Sequence, residues 1–228
     1  MANFVLVHGA WHGGWCWRFV RQLLKGHEVF TPTLTGLGDR KHLARPEIDL
    51  ETHIADVVSL LEMEDLRDVT LVGHSYGGMV VTGAADRVHE RIRRLVYLDA
   101  FVPENGKCLL DYVVPERAAR MREEGEQVGS VTPPPLALWG VTKPEHIDFI
   151  KPREARHPFG TMVQKITLAG NTARLPKTFI YCSSPATGSF DQFAAKYRDA
   201  PGWRFHQLAT GHDAMILMPE RVADLLQS

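Results

Sequence analysis

Short apolar runs alternate with helically spaced apolar positions through the first hundred residues. Phe4-Val5-Leu6-Val7 is unbroken and ends at His8-Gly9, which predicts a strand buried on both faces. From Trp15 to Lys25 apolar residues recur at Trp15, Phe19 and Leu23 and at Val20 and Leu24, a helical spacing. Glu28 to Thr33 reads as a second strand, stopped by Pro32 and the Gly36-Leu37-Gly38 turn. Asp49 to Met63 predicts a helix with Ile54, Val57, Val58 and Leu61 on one face. Val69 to Gly73 predicts a third strand, Gly77 to Val88 the helix behind it, and Leu95 to Leu98 a fourth strand.

The pattern changes between residues 103 and 173, which are rich in Pro, Glu and Arg, with Pro133-Pro134-Pro135 at the centre. Helical spacing there is confined to short patches, Pro115–Glu124, Pro144–Ile150 and Phe159–Leu168. Alternation then resumes with a fifth strand over 178–182, a helix over 190–198, a sixth strand over 203–208 and a closing helix from Pro219 to Gln227. Strands alternating with helices predict an α/β fold: a mostly parallel, doubly wound sheet of about six strands. Residues 1–102 and 174–228 form its core, and 103–173 are expected to be an inserted helical cap. Ligands of such sheets bind beyond the carboxyl ends of the strands. His8-Gly9-Ala10, Ser75, Asp99 and the loop around His212 all lie beyond such ends.

Composition narrows the function classes. A chain of 228 residues with 44% hydrophobic and 23% charged residues suits one globular domain. A formal net charge of −1 with no basic stripe argues against nucleic acid and anionic membrane as partners. Arg87, Arg91, Arg93 and Arg94 read as a solvated helix end before a strand. Three sparse cysteines, Cys16, Cys108 and Cys182, form no disulfide framework or metal-ligand spacing and suit a reducing compartment. Phe4–Val7 is too short for a signal peptide or membrane span. A cytoplasmic chain is therefore expected.

The richest chemical signal is Gly73-His74-Ser75-Tyr76-Gly77, a G-x-S-x-G segment between a predicted strand and a predicted helix. That setting is a nucleophile elbow: a sharp, strained turn that exposes a serine, flanked by glycines because a Cβ would collide with neighbouring elements. A serine hydroxyl needs a base, and the base needs an orienting carboxylate. Of eleven histidines, His212 is the candidate base, because it sits between the last strand and the last helix. His74 is expected to pack away from the nucleophile and His8 to hold its own loop, while His12 is a candidate for the pocket lining. His27, His42, His53, His89, His146, His157 and His206 have no motif around them. A developing oxyanion needs two N–H donors; the candidates are Tyr76 and Ala10, the latter in the loop that Gly9 lets approach.

Three segments, His8-Gly9-Ala10-Trp11-His12-Gly13-Gly14-Trp15, Gly73-His74-Ser75-Tyr76-Gly77-Gly78-Met79 and Gly211-His212-Asp213-Ala214-Met215, together resemble the α/β-hydrolase superfamily. Within it they are similar to the plant methylesterase and hydroxynitrile lyase branch and to related bacterial esterases. The resemblance covers nearly the whole chain and is weakest between 103 and 173. It implies a serine hydrolase with no cofactor and no metal, a cap over the site, and triad members in the order Ser, acid, His. It departs at the acid. Most of the family carries an aspartate just after the fifth strand, where this chain has Cys182-Ser183-Ser184-Pro185-Ala186-Thr187. The remaining candidates are Asp99, at the end of the fourth strand, and Asp191, farther along the original loop. Asp99 is favoured because a strand end is the firmer platform; Asp213 is expected to point elsewhere.

These residues point to cleavage of small hydrophobic or aromatic carboxylic esters through an acyl-enzyme on Ser75. Trp11, His12 and Trp139 are expected to bind substrate. Tyr112, Leu136, Leu138, Phe149 and Phe159 are further apolar residues of the entrance and cap, and no Arg or Lys is placed by a motif to hold a charged substrate. A carbamate or amide hydrolase with the same triad is the nearest alternative. The related lyases have a threonine after the first-strand histidine and a lysine after the catalytic one; Gly9 and Asp213 stand here instead. A non-catalytic ligand receptor is disfavoured by the intact Ser75 and His212. The sequence is silent on oligomeric state.

Overall fold

The computed structural model describes residues 1–228. Its strands in chain order are β1 (Asn3–Val7), β2 (Glu28–Phe30), β3 (Val69–His74), β4 (Ile92–Leu98), β5 (Ser130–Val131), β6 (His157–Pro158), β7 (Lys177–Cys182) and β8 (Trp203–Leu208). Six of them form one sheet in the order β2-β1-β3-β4-β7-β8, every neighbour parallel. This is the doubly wound sheet expected from the alternation. β3 is buried at every residue, whereas the edge strand β8 is exposed or half-buried at every residue but its last, Leu208. β5 and β6 make a separate antiparallel ribbon without sequence periodicity to announce it.

The helices are α1 (Arg18–Leu23), α2 (Leu50–Met63), α3 (Gly77–Arg87), α4 (Pro115–Val128), α5 (Pro144–Ile150), α6 (Gly160–Val163), α7 (Asp191–Tyr197), α8 (Ala214–Leu217) and α9 (Pro219–Gln227). α2 starts where Asp49 accepts the Thr52 N–H at 2.9 Å while the Thr52 hydroxyl accepts the Asp49 N–H at 3.4 Å, a reciprocal cap. Its buried face is Leu50, Ile54, Val57 and Leu61, packed against α3; Val58 is only half-buried. α4 runs four residues past its expected end and stops at Gly129, whose φ of 76° is the left-handed helix terminator.

The helix expected over 159–168 is only α6, four residues long. Beyond it, tertiary hydrogen bonds capture the chain. The Ile166 N–H donates to Lys107 O at 2.9 Å and the Gly106 N–H to Ile166 O at 2.8 Å. The Gln164 side chain bridges the start of α2, donating to Asp49 Oδ2 and accepting from the Glu51 N–H, both at 2.8 Å. Met121, Trp139, Ile150 and Met162 join the same hydrophobic cluster as the sheet, so residues 103–173 share the core and do not build a second one.

α3 packs hard on the end of β1. A Cβ added at Gly77 would stand 2.7 Å from His8 O and 2.8 Å from Val7 O, backbone atoms that cannot swing aside. Gly77→Ala is therefore expected to destabilise the fold by about 1–3 kcal/mol, the cost of overpacking a filled interior. A lowered urea midpoint at unchanged slope checks this; an unchanged midpoint would show that the elbow tolerates a side chain there.

Candidate active site

The turn between β3 and α3 places Ser75 at a φ of 53°. Five non-glycine residues have positive φ, and three of them, Trp11 (64°), Ser75 and Asp99 (43°), belong to this site, so strain concentrates where the chemistry would be. Neighbouring strand ends hold the turn: the Ser75 N–H donates to Leu98 O at 3.3 Å, and Ser75 O accepts from the Phe101 N–H at 3.1 Å and the Gly78 N–H at 3.0 Å. Gly9 is pressed against it, with no room for a Cβ beside the Ser75 Cβ at 2.8 Å.

His212 is buried, between β8 and α8. Its Nδ1 lies 2.7 Å from Asp99 Oδ2, and the other Asp99 oxygen accepts the Cys182 N–H at 3.1 Å. Of the two candidate carboxylates, only Asp99 reaches the histidine. Asp191 is exposed and accepts a hydrogen bond from the Tyr181 hydroxyl at 2.6 Å. The His212 ring stacks on Phe190 at 5.0 Å, and its N–H donates to Trp139 O at 2.9 Å. Burial lowers the imidazole to about 4; Asp213 opposes this and the charges of His12 and Arg117 reinforce it. The ring is thus neutral at pH 7 and ready to accept a proton. Burial likewise pushes the Asp99 carboxyl upward, against the pull of the Cys182 N–H. Ser75 and His212 line one cavity but share no hydrogen bond; such contacts tighten when substrate binds.

The Ala10 and Tyr76 N–H groups belong to the two residues expected as oxyanion donors. Both residues line the same cavity, and neither N–H donates to any protein acceptor. Two histidines without a sequence motif lock this region in place. His53 Nδ1 accepts from the Tyr76 hydroxyl at 2.9 Å while its Nε2 donates to Thr35 O at 2.8 Å. His157 Nδ1 accepts the Trp11 N–H at 3.3 Å and its Nε2 lies 2.7 Å from Thr161 Oγ1. His8 binds Gly9 O through Nδ1 at 2.8 Å and accepts the Leu34 N–H at 3.0 Å, the loop-holding role expected for it.

Behind His212 lies a buried polar cluster that sequence reasoning missed. His74 packs against the His212 ring at 4.5 Å and donates from Nε2 to His212 O at 3.0 Å. His12 Nδ1 donates to Ala10 O at 2.8 Å, and its Nε2 meets Asp213 Oδ2 at 3.4 Å. Both ring nitrogens of His12 thus face acceptors, the arrangement of an imidazolium. Burial alone would lower His12, but the charge and hydrogen bond of Asp213 outweigh it and raise it. Burial alone would raise Asp213, but His12 and His74 hold it down at about 2. His12 stacks on Trp15 at 5.2 Å and does not line the cavity. The expectation of a substrate-binding His12 is thus corrected: the buried Asp213 carboxylate turns its ring away.

The cavity has ten hydrophobic residues among its fifteen lining ones. Trp11 and Trp139 are among them, with Phe101, Leu109, Met121, Met162 and Phe190. Leu109, Val113, Arg117, Met121, Trp139 and Met162 come from residues 103–173. Tyr112, Leu136, Leu138, Phe149 and Phe159 lie outside the lining; Leu138 is exposed and Phe149 packs on Trp15 and Phe19. Arg117 is the unanticipated member, a cation brought in by α4 without a motif. No three His, Cys, Asp or Glu side chains gather as metal ligands would, and no helix is long and apolar enough to cross a membrane.

Comparison with known proteins agrees with the fold. The model of a family described as the alpha/beta hydrolase family matches residues 4–225. A carbendazim hydrolyzing esterase of Nocardioides sp. (strain SG-4G) is 43% identical over 239 residues, spanning 99% of this chain and 98% of that protein. Methylesterase 2 of Arabidopsis thaliana is 35% identical over 127 residues, 54% of this chain and 48% of its own length. A solved extracellular alpha/beta-hydrolase from a Paenibacillus species superposes with a TM-score of 0.86 at 24% identity, over 99% of this chain and 98% of that one. At that identity the likeness shows the fold alone.

The His12–Asp213 pair generates a pH-dependent stability. A raised His12 stabilises fully below 6.5 and loses its contribution as pH rises through its folded value. A lowered Asp213 stabilises fully above 3.8 and loses its contribution as pH falls through about 2. Asp213→Asn strands a buried cation and is expected to cost about 3–5 kcal/mol. The gap in Tm between wild type and variant should be wider near about pH 5.5 than near about pH 9. A gap that grows with pH would mean that His12 is not the cation.

Proposed function

The chain belongs to the alpha/beta hydrolase family and is a carboxylic ester hydrolase, and from that premise we propose that it cleaves small hydrophobic or aromatic esters through an acyl-enzyme on Ser75. The observation that carries this reading is the meeting, in one largely apolar cavity, of Ser75, the Asp99-bound His212 and two N–H groups without acceptors.

In this mechanism Ser75 Oγ attacks the ester carbonyl as His212 Nε2 takes its proton. Asp99 holds the Nδ1–H and so fixes the tautomer that leaves Nε2 free; it also stabilises the imidazolium once formed. The Ala10 and Tyr76 N–H groups bind the oxygen that becomes negative. His212 then protonates the leaving alcohol, the tetrahedral intermediate collapses to the acyl-enzyme, and water repeats the sequence from the same side. Residues 103–173 act as the cap, supplying one wall of the cavity. A carbamate or amide would engage the same residues and differ in its leaving group. The name of the 43% identical relative makes carbendazim itself the first compound to assay beside simple esters.

Ser75→Ala is expected to lower kcat for 4-nitrophenyl acetate by roughly 10⁴-fold or more and to abolish the burst of one acetyl group per chain. Activity within tenfold of wild type would end the proposal. Asp99→Asn is expected to lower kcat by roughly 10³- to 10⁴-fold, since the amide favours the wrong histidine tautomer. Asp191→Asn should leave it nearly unchanged. The reverse pattern would transfer the acid role to Asp191.

A further inference from the structure

Arg117 stands on the first turn of α4 and lines the cavity that holds Ser75. Its guanidinium makes no hydrogen bond or ion pair with any protein group, although it is partly withdrawn from water. Other partly buried arginines meet carboxylates, among them Arg40 with Asp56, Arg91 with Asp65 and Arg156 with Glu124. No lining residue of the cavity is an aspartate or glutamate, and His212 is neutral, so Arg117 is the only charged group facing this space. A second polar group there is also unpartnered: Thr187 Oγ1 is buried, lines the cavity and makes no hydrogen bond. A planar cation with five donors, held in an apolar cleft without an acceptor, is complementary to a planar anion that accepts in pairs.

We propose that Arg117 is a substrate-binding residue that selects esters carrying a carboxylate apart from the scissile bond. The ester end would lie between Ser75 and the Ala10 and Tyr76 N–H groups, and the carboxylate against the Arg117 fork. This narrows the substrate class and rests on the reading of Ser75 as the nucleophile. Burial, which lowers the guanidinium from its ordinary value, agrees with a cation awaiting a partner. Proximity to the base adds a second effect, because an anion on Arg117 offsets the charge that disfavours the imidazolium at His212. A bound carboxylate would thus assist proton transfer as well as orient the ester.

Binding and turnover are read separately. Benzoate titrated into the Ser75→Ala protein is expected to quench tryptophan fluorescence, since Trp11 and Trp139 line the cavity, and benzyl alcohol to bind more weakly. Adding Arg117→Gln should raise the benzoate Kd by about 10- to 100-fold, the usual strength of a hydrogen bond to a charged group; Arg117→Lys should raise it less. In turnover, two pairs place the carboxylate on either side of the ester: mono-4-nitrophenyl glutarate against 4-nitrophenyl hexanoate, and 4-acetoxybenzoate against 4-methylphenyl acetate. For at least one pair the anionic ester should have the higher kcat/KM, and Arg117→Gln should lower that ratio by about 10-fold or more. Benzoate binding no tighter than benzyl alcohol binding, or a benzoate Kd unmoved by Arg117→Gln, overturns the proposal, and the first comparison needs no Arg117 variant to fold. No ester turnover by wild type, with benzoate binding still dependent on Arg117, would instead overturn the hydrolase reading and leave the anion site standing.

Discussion

Everything at the site depends on a backbone turn held where a serine would not settle by itself. A φ of 53° at Ser75 costs about 1–3 kcal/mol relative to a relaxed turn. The neighbours over-determine it. Its N–H and carbonyl are both claimed by the β4 end and its loop, and α3 rests directly on the last carbonyls of β1. α3 is buried along nearly its whole length, so the helix cannot shift to relieve the serine. The same packing sets the level of the site. Val7, Gly73, Tyr97, Phe179 and Phe205 share one row across the sheet. Ala10, Ser75 and Asp99 lie just beyond that row on adjacent strands, and only His212 has to be brought in by a longer loop.

His8, His12, His53, His74, His157 and His212 are all buried around the turn. Burial drives His8 to about 3, His53 to about 4, and His74 and His157 well below their ordinary range. A neutral imidazole is a rigid piece that donates at one end and accepts at the other, and His8, His53 and His157 are used that way, tying Gly9, Tyr76 and Trp11 to Leu34, Thr35 and Thr161, while His74 donates to the His212 carbonyl. His12 and His74 both approach Asp213, at 3.4 Å and 3.9 Å, and only at His12 does the carboxylate outweigh burial and raise the imidazole. The two carboxylates are therefore segregated. Asp99 supports the ring that would exchange protons, and Asp213, the next residue along the chain from His212, holds His12.

The sequence made the local parts legible. Ser75 and its glycines report a turn through their own sterics, and strands β3, β7 and β8 announced themselves through unbroken or alternating apolar runs. Asp99 was legible only as a strand end, since its reach to His212 is set by where β4 lies relative to β8. His157 and Trp11 are 146 residues apart, and nothing in either neighbourhood signals the other. Arg117 was hidden for a related reason. Helical spacing tells which residues of α4 share a face, but not that this face closes over Ser75. The 159–168 segment misled because its apolar spacing is helical while its hydrogen bonds go to residues 106 and 107 and to the start of α2.

The segment 103–173 does two jobs that cannot be separated. It supplies much of the cavity wall, and it also fastens the machinery beneath. Trp139 O receives the His212 N–H, Val131 O receives the Trp11 indole at 2.9 Å, and the Ala155 N–H donates to Trp11 O at 3.0 Å. A change that reshapes the wall near Trp139 therefore also bears on the backbone that sets the height of His212. Arg117, Met121 and Val113 differ in this respect. They project from α4 and the turn before it, none of which bonds to the loops carrying Ser75, His212 or Ala10. Substrate preference is thus free to vary through α4 at small cost to the geometry of the reacting groups, whereas Trp11 and Trp139 are tied to that geometry by their own backbones.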